Sequence, residues 1–142
     1  MKMKKRCIWI TVAFILGVAL VFLFPDMDTK AESVTTKTLS VPPNGTYKIH
    51  GIYIRTVTTN TAHVKNYSKY GEYAYCKGYV SARIGSNTDY TVFSSEQRID
   101  KDNSYKTITL YNTLDAGNRI CLKVTGADTQ TVYDTNKISF YY

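Results

Sequence analysis

The sequence predicts an all-β protein, an antiparallel β-sandwich of about eight short strands preceded by an N-terminal apolar signal helix. Three observations carry this. Residues 73–84 alternate without a break, with Ala74, Cys76, Gly78, Val80, Ala82 and Ile84 on one side and Tyr73, Tyr75, Lys77, Tyr79, Ser81 and Arg83 on the other. A repeat of two sustained that long fits a strand and not a helix. Turn-forming clusters recur at short intervals beyond residue 32, the spacing of a sandwich or small barrel. All thirteen tyrosines fall after residue 31, with abundant Thr, Val and Ile and no run of Ala, Leu and Glu at helical spacing. Tyrosine and β-branched residues suit a half-buried pleated surface.

The chain opens with Lys2, Lys4, Lys5 and Arg6 and runs into an apolar stretch over residues 8–24, the order of an export signal. The stretch is long for a cleaved signal and short of the ~20 residues of a membrane span. Thr29 and Ala31 put small residues three before and one before a cut, which favours cleavage after Ala31 over an uncleaved anchor. Either outcome places the remainder outside the cytoplasm, secreted or tethered, because the four cations stay inside. Cys7 precedes the apolar stretch and so is not the lipid-modified cysteine of an exported lipoprotein.

Residues 1–31 are therefore read as signal, or as an anchor with its apolar core at 8–24, and residues 32–142 as a single domain large enough to bury one core. Much of the formal net charge of +7 belongs to the signal, and the domain keeps thirteen cations against nine anions, or +4. An excess of that size aids solubility and adds a weak attraction to anionic cell-wall polymers or lipid headgroups.

Within the domain, a threonine-rich strand over residues 34–41 is closed by Pro42-Pro43-Asn44-Gly45. A second strand, 47–57, changes the parity of its apolar positions from Tyr47 and Ile49 to Ile52 and Ile54. Gly51 stands at the switch, so a β-bulge there is expected to keep both pairs in the core. A short strand at 62–67 and a turn at Gly71 lead into the alternating strand 73–84. The turn at 85–89 precedes a strand at 90–94, and Asp100-Lys101-Asp102-Asn103 turns into 105–111, with Ile108 and Leu110 inward. Residues 119–125 point Ile120, Leu122 and Val124 inward, and the last strand carries Ile138, Phe140 and Tyr142 on one face.

Two cysteines in an oxidising space invite a Cys76–Cys121 disulfide, which would stabilise the fold by about 4 kcal/mol. Alternation, however, groups Cys121 with Arg119 and Lys123 and Cys76 with the inward small residues. A bridge then needs a bulge near Cys121; the alternative is two separate thiols.

No pattern names a reaction. The domain's histidines, His50 and His63, sit on strands in no nucleophile–base pattern and read as solvent-face residues. No spacing suits zinc, and no cofactor or phosphate loop is present. Asp100-x-Asp102-x-Ser104 has the opening of a calcium loop but lacks its glycine and later glutamate, so an Asx turn is expected. Glu72, Asp89, Glu96 and Asp134 are the carboxylates that a glycosidase pair would draw on. Asn44-Gly45-Thr46 and Asn66-Tyr67-Ser68 fit the glycosylation pattern of a eukaryotic secretory route.

The candidate binding face is Tyr73, Tyr75, Lys77, Tyr79 and Arg83, rings and cations spaced about 7 Å apart along one side of a strand. Such rings stack on sugars or anchor a protein partner. The competing reading is structural: the rings pack on cross-strand neighbours such as Tyr105, Thr107 or Tyr111 and shield the backbone. Single-stranded nucleic acid is set aside as a partner, because an exported domain rarely meets it.

The expected function is a small secreted, non-enzymatic binding or interaction protein directed at a cell-envelope polymer or a protein. The closing Ser139-Phe140-Tyr141-Tyr142 resembles the aromatic ends of small sandwich bacteriocins of the lactococcin 972 type over those residues alone. That likeness, with the small size and basic balance, implies the alternative of an antimicrobial or toxin-like protein. An extracellular hydrolase is the third reading.

Overall fold

The computed structural model describes residues 31–67, 71–102 and 104–142. The expected export signal lies, apart from Ala31, outside the described residues. These contain nine strands and no helix: β1 (Val34–Val41), β2 (Lys48–Ile54), β3 (Thr59–Asn66), β4 (Tyr75–Arg83), β5 (Thr91–Val92), β6 (Gln97–Asp100), β7 (Lys106–Leu114), β8 (Arg119–Thr125) and β9 (Asp134–Tyr141). They form two antiparallel sheets. One runs β1-β9-β3-β7 and the other β2-β8-β4, with β5 and β6 sharing the far edge of β4.

Alternation places the core between the sheets. Val64, Ile108, Ile138 and Phe140 point in from the first sheet, and Cys76, Val80, Ile120, Leu122 and Val124 from the second, all buried. The strand expected over residues 73–84 is real but shorter. Ala74 and Ile84 lie beyond its ends and are exposed. Ser81, expected in solvent, is buried on the outer face, a small residue between Tyr79 and Arg83. β6 has no counterpart in the expected set because only Ile99 in it is apolar and inward.

The bulge in β2 exists, but it does the opposite of what its apolar residues suggest. The β2–β8 register shifts between Ile49 and Gly51, and Tyr47, Ile49, Ile52 and Ile54 all remain exposed. The inward positions are His50, 1% exposed, and Tyr53, which packs against the core. The ring nitrogens account for this. His50 Nε2 lies 2.9 Å from the Ile138 carbonyl and Nδ1 2.9 Å from the Tyr53 hydroxyl. A carbonyl only accepts, so Nε2 carries the proton and Nδ1 accepts from Tyr53. Gly51 leaves room for the Tyr53 ring end that folds back over it, which a Cβ there would have to displace.

Burial lowers the His50 pKa, assisted by the nearby Lys37 cation and opposed by the Ile138 bond. The folded protein thus holds a neutral ring, while the unfolded chain takes up a proton below the ordinary value of 6.5. Stability is expected to fall as pH drops from 6.5 toward the lowered pKa, by up to about 1.4 kcal/mol per pH unit. Urea unfolding across that window checks this, and His50→Gln should flatten the slope.

Candidate binding surface

The β4 face assembles as alternation requires for four of its five residues. Tyr75, Lys77, Tyr79 and Arg83 stand half-buried on the outer side of the second sheet. Tyr73 precedes β4, and its amide donates to Asp134 Oδ2 at 3.3 Å. The neighbours of this face differ from those expected, because β7 belongs to the opposite sheet. The Arg98 guanidinium lies 3.9 Å over the Tyr75 ring, and Tyr47 meets Tyr79 edge-on at 5.1 Å. Lys123 lies 5.6 Å over the other partner's ring, that of Tyr79.

Lys77 and the Tyr75 and Tyr47 hydroxyls of this face are already engaged, whereas Arg83 Nε and the hydroxyl of neighbouring Tyr90 are buried without a hydrogen-bond partner among the described residues. Lys77 Nζ is 2.5 Å from Asp128 and 3.4 Å from Glu96, and the Tyr75 hydroxyl donates to Asp128 at 3.4 Å. Tyr47 donates to Glu96, which pushes its phenol pKa up to about 12. Arg83 covers Tyr90 at 5.8 Å. The contacts of Tyr75, Lys77 and Tyr79 with their neighbours favour the structural reading of the β4 rings.

Both cysteines are buried free thiols. Cys76 is part of the core, whereas Cys121 faces outward opposite Ser81. Ser81 is five residues along β4 from Cys76, or roughly 16 Å, and the two thiols lie on opposite faces. A disulfide needs Cα atoms within about 7 Å, so the expected Cys76–Cys121 bridge is replaced by two separate thiols. Burial pushes the Cys76 pKa up to about 12 and raises that of Cys121, which leaves both unreactive.

Other candidates also resolve. The Ser104 amide donates to Asp102 at 2.6 Å in an Asx turn, while Asp100 pairs with Arg98. Glu96 serves the outer face of the second sheet and Asp134 the core, so these two carboxylates do not face each other. Asn66 is 0% exposed, a position no glycosyl group can occupy.

The surface the sequence did not reveal lies on the first sheet. Glu32, His63, Tyr105, Thr107 and Tyr141 line a groove of about 440 Å³. Strand pairing assembles it: His63 is opposite Tyr141 in β9 and Thr107 in β7. The Tyr105 and Tyr141 rings meet at 81° with centroids 4.9 Å apart, and the Tyr141 hydroxyl donates to that of Tyr105 at 3.0 Å. Burial, then this bond, raises the Tyr141 pKa to about 12. Lys65 lies over the Tyr67 and Tyr105 rings at 5.1 and 5.2 Å. His63 Nδ1 is 2.7 Å from Glu32 Oε2. The chain matches no protein-family model and no curated protein.

Chemically, this groove offers a flat ring 57% exposed at Tyr105, a carboxylate, an imidazole, a hydroxyl and a neighbouring ammonium. The only sequence signal for it was the outward alternation of His63, Lys65 and Tyr67. Bringing these beside Tyr105 and Tyr141 takes pairings between distant segments.

Proposed function

We propose that this is an exported, non-enzymatic binding module that recognises a cell-envelope glycan through the Tyr105–Tyr141 groove. The observation that carries the reading is the exposed ring of Tyr105 set at right angles to Tyr141, beside Glu32, His63 and Thr107. A sugar ring presents an apolar face and a hydroxyl rim, and an aromatic plane flanked by polar groups complements both. Cleavage after Ala31 would make Glu32 the first residue, adding an α-ammonium at the rim.

Cosedimentation of the purified domain with insoluble peptidoglycan tests this. Tyr105→Ala combined with Tyr141→Ala is expected to weaken binding by about tenfold or more. Tyr75→Ser with Tyr79→Ser should lower stability and leave binding unchanged. Binding that depends on the β4 rings and not on the groove, or no cosedimentation at all, would overturn the proposal.

A second reading uses the same groove. His63 held by Glu32, with Thr107 on the adjacent strand, is the beginning of a hydrolytic arrangement. Turnover of glycans or peptides that is lost in His63→Ala would favour it. Inhibition of neighbouring cells by the purified domain would instead favour an antimicrobial role.

A further inference from the structure

At the end of the sandwich away from that groove's histidine, the core contains a group of polar side chains that packing does not call for. Lys101 follows β6, and its side chain is 5% exposed; Asp134 opens β9 with its side chain 4% exposed. Asn136 is 1% exposed and Asn66 is 0% exposed. Alternation along β9 points Asp134, Asn136, Ile138 and Phe140 inward together. Burying a lysine, a carboxylate and two amides costs several kcal/mol unless every group is paired. Here they are not all paired. Asn136 Oδ1 and Asn66 Oδ1 have no partner.

One oxygen joins the reactive groups. Asp134 Oδ2 is 3.4 Å from Lys101 Nζ and 3.2 Å from Asn136 Nδ2. The carboxylate is fixed by the amides of Glu72 at 2.5 Å and Tyr73 at 3.3 Å. Gly71 makes room for it: its φ of +82° and a would-be Cβ 2.5 Å from Asp134 Oδ2 exclude other residues. An amine, a carboxamide and a shared proton carrier in a water-poor pocket are the components of an amide exchange.

We propose that Lys101 and Asn136 form an intramolecular isopeptide bond, with Asp134 as the catalytic acid–base. Asp134 takes a proton from the Lys101 ammonium, and the freed amine attacks Asn136 Cγ. Turning the Asn136 amide about Cβ–Cγ sets its carbonyl oxygen against Asp134, which then polarises it by donating that proton. As the tetrahedral carbon collapses, Asp134 returns the hydroxyl proton to Nδ2, the bond from Cγ to Nδ2 breaks, and the departing ammonia takes up the second proton that the attacking lysine nitrogen gives up, leaving as ammonium. The overall change is lysine ammonium plus carboxamide to secondary amide plus ammonium ion, with no oxidant or cofactor. The new bond ties the segment after β6, in the second sheet, to β9 in the first.

Mass spectrometry of the purified full chain and its tryptic digest tests this. The expected result is a deficit of about 17 Da, one ammonia, with a branched peptide joining Lys101 to Asn136 and no cleavage after Lys101. Lys101→Arg and Asp134→Asn should each restore the missing mass and the linear peptides. The wild-type digest decides the matter even where a variant fails to fold. Full mass in folded wild-type protein would overturn the proposal, as would a deficit of about 18 Da from water loss at Asp134. A branch at Asn66, or ammonia loss without a branched peptide, would overturn it equally.

Discussion

Arg55→Leu is expected to destabilise the fold by about 3 to 5 kcal/mol, the largest loss from any single change of a polar residue. Arg55 is 1% exposed, and its guanidinium serves as a hub for backbone carbonyls. Nε donates to Leu114 at 3.1 Å, and Nη2 donates to Thr59 at 3.1 Å and Thr61 at 2.6 Å. These acceptors lie where the β3–β7 register shifts between Thr59 and Thr61. A shifted ladder leaves carbonyls without amide partners, and the planar fork reaches several at once. Burial lowers the pKa of Arg55, with Glu32 opposing the shift. Leucine would leave those carbonyls dry and unpaired. Urea unfolding measures the loss, and a change under about 1 kcal/mol would contradict this account. Arg55→Lys should recover only a minor part, because an ammonium cannot span the same acceptors.

Phe140→Ala is expected to cost a comparable 3 to 5 kcal/mol, roughly. The ring is 0% exposed and sits 6.1 Å from both His50 and Tyr53 and 5.8 Å from Tyr142. Tyr53 and Tyr142 stack at 4.4 Å beside it, so four rings close this part of the core. Removing Phe140 opens a cavity and loosens the support of His50. Tyr141→Ala, one position along and outward-facing, is the internal comparison. It should cost under about 1 kcal/mol, and equal losses at the two positions would contradict the assigned faces.

What was legible in the sequence followed from local periodicity. β1 and β8 fall where their patterns set them, and Ile108, Leu110, Ile120, Leu122, Val124, Ile138 and Phe140 are all inward. Periodicity also put Cys121 on the outer face, which rules out its bridge to Cys76. It failed where a polar residue outcompeted an apolar one for the interior. His50 and Tyr53 enter together because each satisfies the other, while Ile52 and Ile54 remain outside on an edge strand. The rings expected to bind were found by alternation, but their engagement with Asp128 and Glu96 was not, since those acids lie far along the chain. The groove and the Lys101–Asp134–Asn136 group were hidden for the same reason. Each joins residues from segments whose adjacency only the sheet order creates.

That sheet order also bears on when structure can form. Among the described residues β1 has β9 as its only ladder partner, so Val34 waits for Tyr141, and β2 likewise waits for β8. A chain emerging from its N-terminal side has no way to complete either sheet until these late segments arrive. Closing such long loops is entropically costly and slow, so both sheets are expected to assemble only after β8 and β9 have been made.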